Sequence, residues 1–161
     1  MSLYLFSINF ILVPSNSNLG NFKKAKIVFV PENLTALKNG GRISPTVALI
    51  GNAIGIKPVI SLKDGALEKE GVTRHVRKTM LEGLELFKAD FNEDEYDYTI
   101  VSFDVKTEVF DYVLFNAQKI FPNKRIISGM LPINVCAHCG PGTVGIIASQ
   151  KINGKSLNEF F

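Results

Sequence analysis

The sequence predicts an α/β (α+β) domain, a two-layer sandwich in which helices cover one mixed β-sheet. Three observations carry this. Short β-branched runs recur along the chain, segments with apolar residues at helical spacing lie between several of them, and the two kinds do not keep the strict βαβ rhythm of an all-parallel sheet. With 161 residues, 46% of them hydrophobic, the chain is long enough to fill a single core.

The elements follow in order. "AKIVFV" (25–30) is apolar and β-branched and stops at Pro31, so it reads as a strand. "ENLTALKN" has Leu34 and Leu37 on one helical face and is closed by the Gly40-Gly41 pair, as a C-cap would close it. Ser44 then reads as an N-cap with Pro45 at the first helical position, and Val47, Ile50, Ala53 and Ile54 continue a second helix, which pins Arg42 in the elbow. "KPVISL" (57–62) reads as a strand, "KDG" (63–65) as a turn, and "EGVTR" (70–74) as a brief strand leading into a helix. On that helix Val76, Met80, Leu84 and Phe87 share a face, with Arg77, Lys78, Glu82 and Glu85 mostly turned away. An acidic connection (89–97) precedes the strand "YTIVSF" (98–103), and Phe110, Val113, Leu114, Ala117 and Phe121 mark another amphipathic helix. "RIISGM", "INVCAH" and "VGIIAS" (144–149) read as three further strands.

The first thirteen residues are apolar, but no Lys or Arg precedes them and the run is too short to span a bilayer. Residues 1–24 are therefore set apart as a leader, either a buried or partner-covered strand or an irregular segment, and the domain is taken as residues 25–161. Eighteen Lys+Arg against fifteen Asp+Glu give a net charge of +3 with no basic block, so nucleic acid is not implied, and neither is stable membrane insertion. The only two cysteines, Cys136 and Cys139, are placed on a strand and its exit, an awkward geometry for a disulfide, and a reducing, cytoplasmic setting fits them.

Chemistry concentrates in "AHCGPGTVG". Its glycines and proline demand a tight turn that can expose backbone N–H groups to an anion, although a hairpin that merely needs glycine explains them as well. It is neither a P-loop nor a dinucleotide fingerprint. Read as a strand, "CAHC" puts Cys136 and His138 on one side. A zinc site would want a fourth donor, and His75 carries no pairing pattern, so no metal is expected. A Cys136 or Cys139 nucleophile activated by His138 ranks below plain buried thiols. His138 is either a partly buried imidazole satisfied by backbone or a donor to a carboxylate at a pocket rim. Arg42 and Arg74 sit where a helix dipole opposes them, which hints at a role outside local stability. The acidic loop lacks EF-hand spacing and reads as solvated.

The blocks "LTALKNGGRIS", "ALIGNAIGIKPVISLKDG", "GVTRHVRKTM" and "AHCGPGTVGI" occur in this order over about residues 25–149. In that order they resemble the carboxy-terminal domain of the DegV family of bacterial fatty-acid-binding proteins. The resemblance implies a two-layer domain with a mixed sheet and a binding subunit that is not an enzyme. A long-chain fatty acid, palmitate- or oleate-like, is the implied ligand, and no cofactor is implied. It implies that His138, Gly140, Gly142 and Arg42 lie at the carboxylate end. Leu49, Ile50, Ala53 and Ile54 would wall the acyl chain, and Arg74 and Arg77 would face a partner, a fatty acid kinase that receives the acyl carboxylate. It also implies an amino-terminal domain, supplying hydroxyl groups to the carboxylate, to which nothing in these residues corresponds. A separate amino-terminal domain or a homodimer would then complete the site. Two other readings stand beside it: a small Cys/His hydrolase or acyltransferase-like enzyme, and a truncated, non-binding interaction domain.

Overall fold

A computed structural model describes residues 25–41, 55–63, 66–131, 133–151 and 154–156. Among these residues are six strands, β1 (Ala25–Val30), β2 (Lys57–Lys63), β3 (Ala66–Thr73), β4 (Tyr96–Phe103), β5 (Ile127–Met130) and β6 (Thr143–Gln150). The helices are α1 (Thr35–Asn39), α2 (Val76–Asp90), α3 (Thr107–Ile120) and α4 (Ile133–Cys139). The strands form one sheet in the order β3-β2-β1-β6-β4-β5. All neighbours are antiparallel except the β4–β5 pair, so the sheet is mixed, as its irregular rhythm predicts.

Alternation along the strands sorts the core into two faces. On β6, Val144, Ile146 and Ala148 look to the side where Met80, Leu84 and Phe87 of α2 and Val113 and Ala117 of α3 pack. Ile147 looks the other way, with Ile27, Phe29, Ile60 and Val101, towards Leu37 of α1 and the two cysteines of α4. The long helices α2 and α3 are thus the helical layer, and the short α1 and α4 cover part of the opposite face. On the first side Tyr98 stacks on Phe121 with ring centroids 4.0 Å apart. A Cβ on Gly83 would lie 2.6 Å from Ile146 Cδ1, so the bare backbone at Gly83 is what lets α2 settle onto β6.

Three expectations are corrected. "INVCAH" is the helix α4: its β-branched Ile133 and Val135 suggest a strand, yet burial falls on Cys136 and Cys139, an i, i+3 spacing that only a helix turns inward. The brief strand at "EGVTR" is the end of the longer β3, which pairs with β2 from Ala66 onward. Its Glu68, Lys69 and Glu70 mask the pattern, and such charges suit the sheet edge that β3 occupies. Asp97 belongs to β4, where it is buried and accepts a hydrogen bond from Ser156 Oγ at 2.9 Å. Tyr96 beside it is buried in β4 too, whereas Asn92, Asp94 and Glu95 are exposed, with Asp94 bound to Lys124 at 2.9 Å. That ammonium holds the Asp94 carboxyl below its ordinary range.

The strand directions gather one set of termini. The carboxyl ends of β1, β3, β4 and β5 and the amino ends of β2 and β6 share one end of the sheet. The α1 segment, the start of α2 and the turn after α4 all adjoin these termini.

Candidate functional site

At that end a cleft of about 550 Å³ opens between α1 and α4. One wall is Asn33, Thr35, Ala36, Asn39 and Gly40, and the other is Ala137 to Pro141, with His138 among them. Asn33 Oδ1 accepts from the Thr35 N–H at 2.9 Å, which turns the chain from β1 into α1. Gly40 keeps right-handed helical geometry at the C-cap, and Gly41 takes the left-handed conformation after it, with φ +62°. The glycine pair therefore ends the helix as its sequence predicts.

The second wall is held from within. Cys136 Sγ donates to the Leu131 carbonyl at 3.2 Å, and Leu131 N–H donates to Ser102 O at 2.8 Å, tying α4 to β4. The helix ends at Gly140, which has φ +76° and donates its N–H to Cys136 O at 2.8 Å. Gly142, with φ +78°, donates its N–H to Phe103 O at 2.8 Å. Thr143 Oγ1 closes the turn on the carbonyls of Cys139 and Gly140, at 3.1 and 2.8 Å. The turn joins a helix to a strand and is not a hairpin. Its two glycine N–H groups are spent inside the protein, so they shape the site and do not offer donors to an anion. The side chain with donor capacity on this wall is the half-buried His138.

The reading of Cys136 and His138 as neighbours on one strand side is replaced by a helical arrangement. Cys136 and Cys139 are buried together and unlinked, and His138 lines the cleft. Burial raises the Cys136 thiol above its ordinary value and pushes Cys139 up to about 12, so both are protonated at neutral pH. A thiolate nucleophile is disfavoured by that environment. Among the described residues no group of three or more His, Cys, Asp or Glu side chains could hold a metal ion. Among them, too, no helix is long and apolar enough to cross a membrane.

His138 and Gly140 line the cleft, and Gly142 stands in the same turn. Arg74 and Arg77 are exposed at the start of α2, at the same end of the sheet but outside the cleft lining, with the Arg77 guanidinium 5.3 Å from the Tyr112 ring centre. Arg42, Leu49, Ile50, Ala53 and Ile54, with the helix expected after Ser44, lie outside the described residues. Sequence reading missed the first wall, whose signal was Asn33 set two residues before Thr35 as an Asx turn. It also missed Glu32 and Lys57. Glu32 carries its side chain against Gly142, where a Cβ would meet Glu32 Cβ at 2.8 Å, and its Oε2 is ion-paired with Lys57 Nζ.

Residues 21–151 match the family model described as "Uncharacterised protein, DegV family". The chain belongs to the DegV family. A DegV domain-containing protein of Clostridium acetobutylicum is 33% identical over 130 residues, 78% of this chain and 44% of that protein. One from Staphylococcus aureus strain N315 is 33% identical over 132 residues, 78% of this chain and 45% of that one. The chain thus spans a little under half the length of the curated relatives it matches. Among solved structures, a fatty acid binding DegV family protein from Streptococcus agalactiae superposes with a TM-score of 0.68 at 23% identity, covering 80% of this chain and 45% of that one. A DegV family protein from Eubacterium eligens, described as loaded with heptadecanoic acid, superposes with a TM-score of 0.67 at 17% identity, covering 80% and 46%. The fold is therefore that of one part of these DegV proteins, and the cleft residues Asn33 to Gly40 and Ala137 to Pro141 lie within the matched segment.

Proposed function

We propose that this DegV chain binds the carboxylate end of a long-chain fatty acid at the α1–α4 cleft and works as a binding subunit, not a catalyst, in the cytoplasm. The observation that carries this is the position of His138: a half-buried imidazole on the wall of an open cleft, beside a turn fixed by internal hydrogen bonds. A rigid wall holding one donor suits a carboxylate, because little ordering is left to occur on binding. Asn33, Thr35 and Asn39 make the opposite wall polar, which fits a head group better than an acyl chain. The chain of the lipid then needs an apolar wall, the role assigned to Leu49, Ile50, Ala53 and Ile54, with Arg42 as a second, charge-assisted partner of the carboxylate. Gly140 and Gly142 contribute shape. The relatives described as binding fatty acids are about twice as long, so an amino-terminal domain or a second copy of the chain completes the site in this reading. Arg74 and Arg77, exposed at the same end of the sheet, are the surface offered to a fatty acid kinase. The Cys/His enzyme finds no support in thiols that burial keeps protonated.

Native mass spectrometry of the chain with palmitate or oleate tests this. One fatty acid is expected per chain, with His138→Ala weakening retention by about tenfold or more, the loss of one hydrogen bond to a charged group. A His138→Ala chain that retains fatty acid equally well would sink the His138 reading, and a native chain that retains none would overturn binding by this chain without an amino-terminal domain.

A further inference from the structure

The ion pair between Glu32 and Lys57 stands at the edge of the candidate site. Glu32 follows β1 by two residues and Lys57 opens β2; continuing the β1–β2 register beyond Phe29↔Ile60 sets the two opposite each other. Their side chains are 53% and 26% exposed, so the pair lies in the range where ion pairs add little to stability, about 0–1 kcal/mol. Its placement is more telling than its energy. The stem of Glu32 fills the space left by the missing side chain of Gly142, at a φ of +78° that disfavours any other residue. Gly142 is two residues from Gly140, where α4 ends, and His138 is in the last turn of that helix. Lys57 thus holds the carboxylate of Glu32, Glu32 abuts the turn, and the turn sets where α4 presents His138.

We propose that Glu32 and Lys57 are positioning residues for the His138 site: the pair fixes the turn at Gly142 and through it the orientation of the imidazole towards the cleft. The functional side of this rests on the carboxylate-binding reading of His138; the positional side does not.

The test uses the whole chain and two readouts. His75 and His138 are the only histidines, so ring resonances of His138 can be assigned by comparison with a His138→Gln chain. Without ligand, Lys57→Met is expected to shift the His138 ring resonances and the Gly142 amide. Lys57→Arg, which keeps the pair, is expected to leave them near native. Glu32→Gln should reproduce the Lys57→Met shift, and it decides the matter if Lys57→Met fails to fold. With palmitate, Lys57→Met and Glu32→Gln should bind several-fold more weakly while Lys57→Arg binds as the native chain does. Unmoved His138 and Gly142 resonances in the folded variants overturn the proposal, and so does an unchanged affinity beside moved resonances. If the native chain takes up no palmitate, lipid binding by this chain alone fails by itself, and the resonances still decide whether the pair positions His138.

Discussion

Gly140, just past the end of α4, and Ala36 of α1 face each other so closely that a Cβ on Gly140 would lie 3.1 Å from Ala36 Cβ. The two walls of the cleft thus approach closely here, and the approach depends on a residue without a side chain. Gly140→Ala meets two costs, the left-handed φ of +76°, about 1–2 kcal/mol for an L-residue, and the crowding against α1. The expected loss is about 2 kcal/mol, seen as a fall of several degrees in the thermal midpoint. Gly71→Ala in the edge strand β3 meets nothing within 4 Å among the described residues and has no such φ, so it should stay within about 0.5 kcal/mol of native. Equal effects of the two substitutions would argue against the close approach.

Gly83 offers a parallel test on the other face. A side chain there points at Ile146, which is fully buried in the centre of β6, and even a first methyl group would stand 2.6 Å from Ile146 Cδ1. Helix propensity favours replacing this glycine by about 0.5–1 kcal/mol, but overpacking costs about 1–3 kcal/mol. Gly83→Val, which adds the stiffness of a branched side chain, should therefore destabilise by about 2 kcal/mol in urea unfolding, and Gly83→Ala by less. A stabilised Gly83→Val would mean that α2 does not lie this close to the sheet.

How much of this was legible in the sequence depended on where each signal resides. β1, β2, β4 and β6 carry β-branched runs that announce themselves, and α2 and α3 carry one-sided apolar stripes that tertiary packing merely uses. α4 was hidden because seven residues give barely two turns, and Ile133 and Val135 favour strands locally; the face turned inward was decided by β4 through Leu131 and Ser102. At the site, His138 and the glycines stood out by composition. Glu32 and Lys57 did not, since their meeting follows from β1–β2 pairing across twenty-five residues and no short-range pattern encodes it.

The cysteines should be silent to alkylation. With Cys136 4% and Cys139 7% exposed and both thiols raised by burial, iodoacetamide at pH 7.5 is expected to modify neither in the native chain and both once urea unfolds it. One fast-reacting thiol in the native state would instead revive the Cys/His nucleophile.

The same burial makes stability depend on alkaline pH. A thiol ionises near 9.0 when unfolded, whereas Cys139 in the fold does so at about 12, so between these values the unfolded chain has released a proton that the folded chain keeps. Stability from this group is complete below pH 9 and declines as pH rises towards 12. Tyr98, raised from 10.0 to about 12 chiefly by burial, adds a decline that begins about one unit higher. Urea midpoints measured from pH 8 to 10.5 should fall, and fall less steeply in Cys139→Ala. Parallel slopes in the two proteins would show that Cys139 is not shielded as its burial implies.

Ser149, at the far end of β6 from the cleft, is 6% exposed, and among the described residues its Oγ has no hydrogen-bond partner. It stands directly between Ala25 of β1 and Asp97 of β4 in the register, so its backbone is locked and its hydroxyl has little freedom to seek a partner. Leaving a buried hydroxyl unsatisfied costs about 1–3 kcal/mol, whereas removing it forfeits only a small volume of packing. Ser149→Ala is therefore expected to raise stability by about 1 kcal/mol in urea unfolding. Ser149→Val, which adds volume at a site fixed on both sides by paired strands, should lose that gain to crowding. A destabilised Ser149→Ala would show that the hydroxyl is satisfied in solution, for instance by a bound water, and that the polar atom contributes to this part of the sheet instead of burdening it.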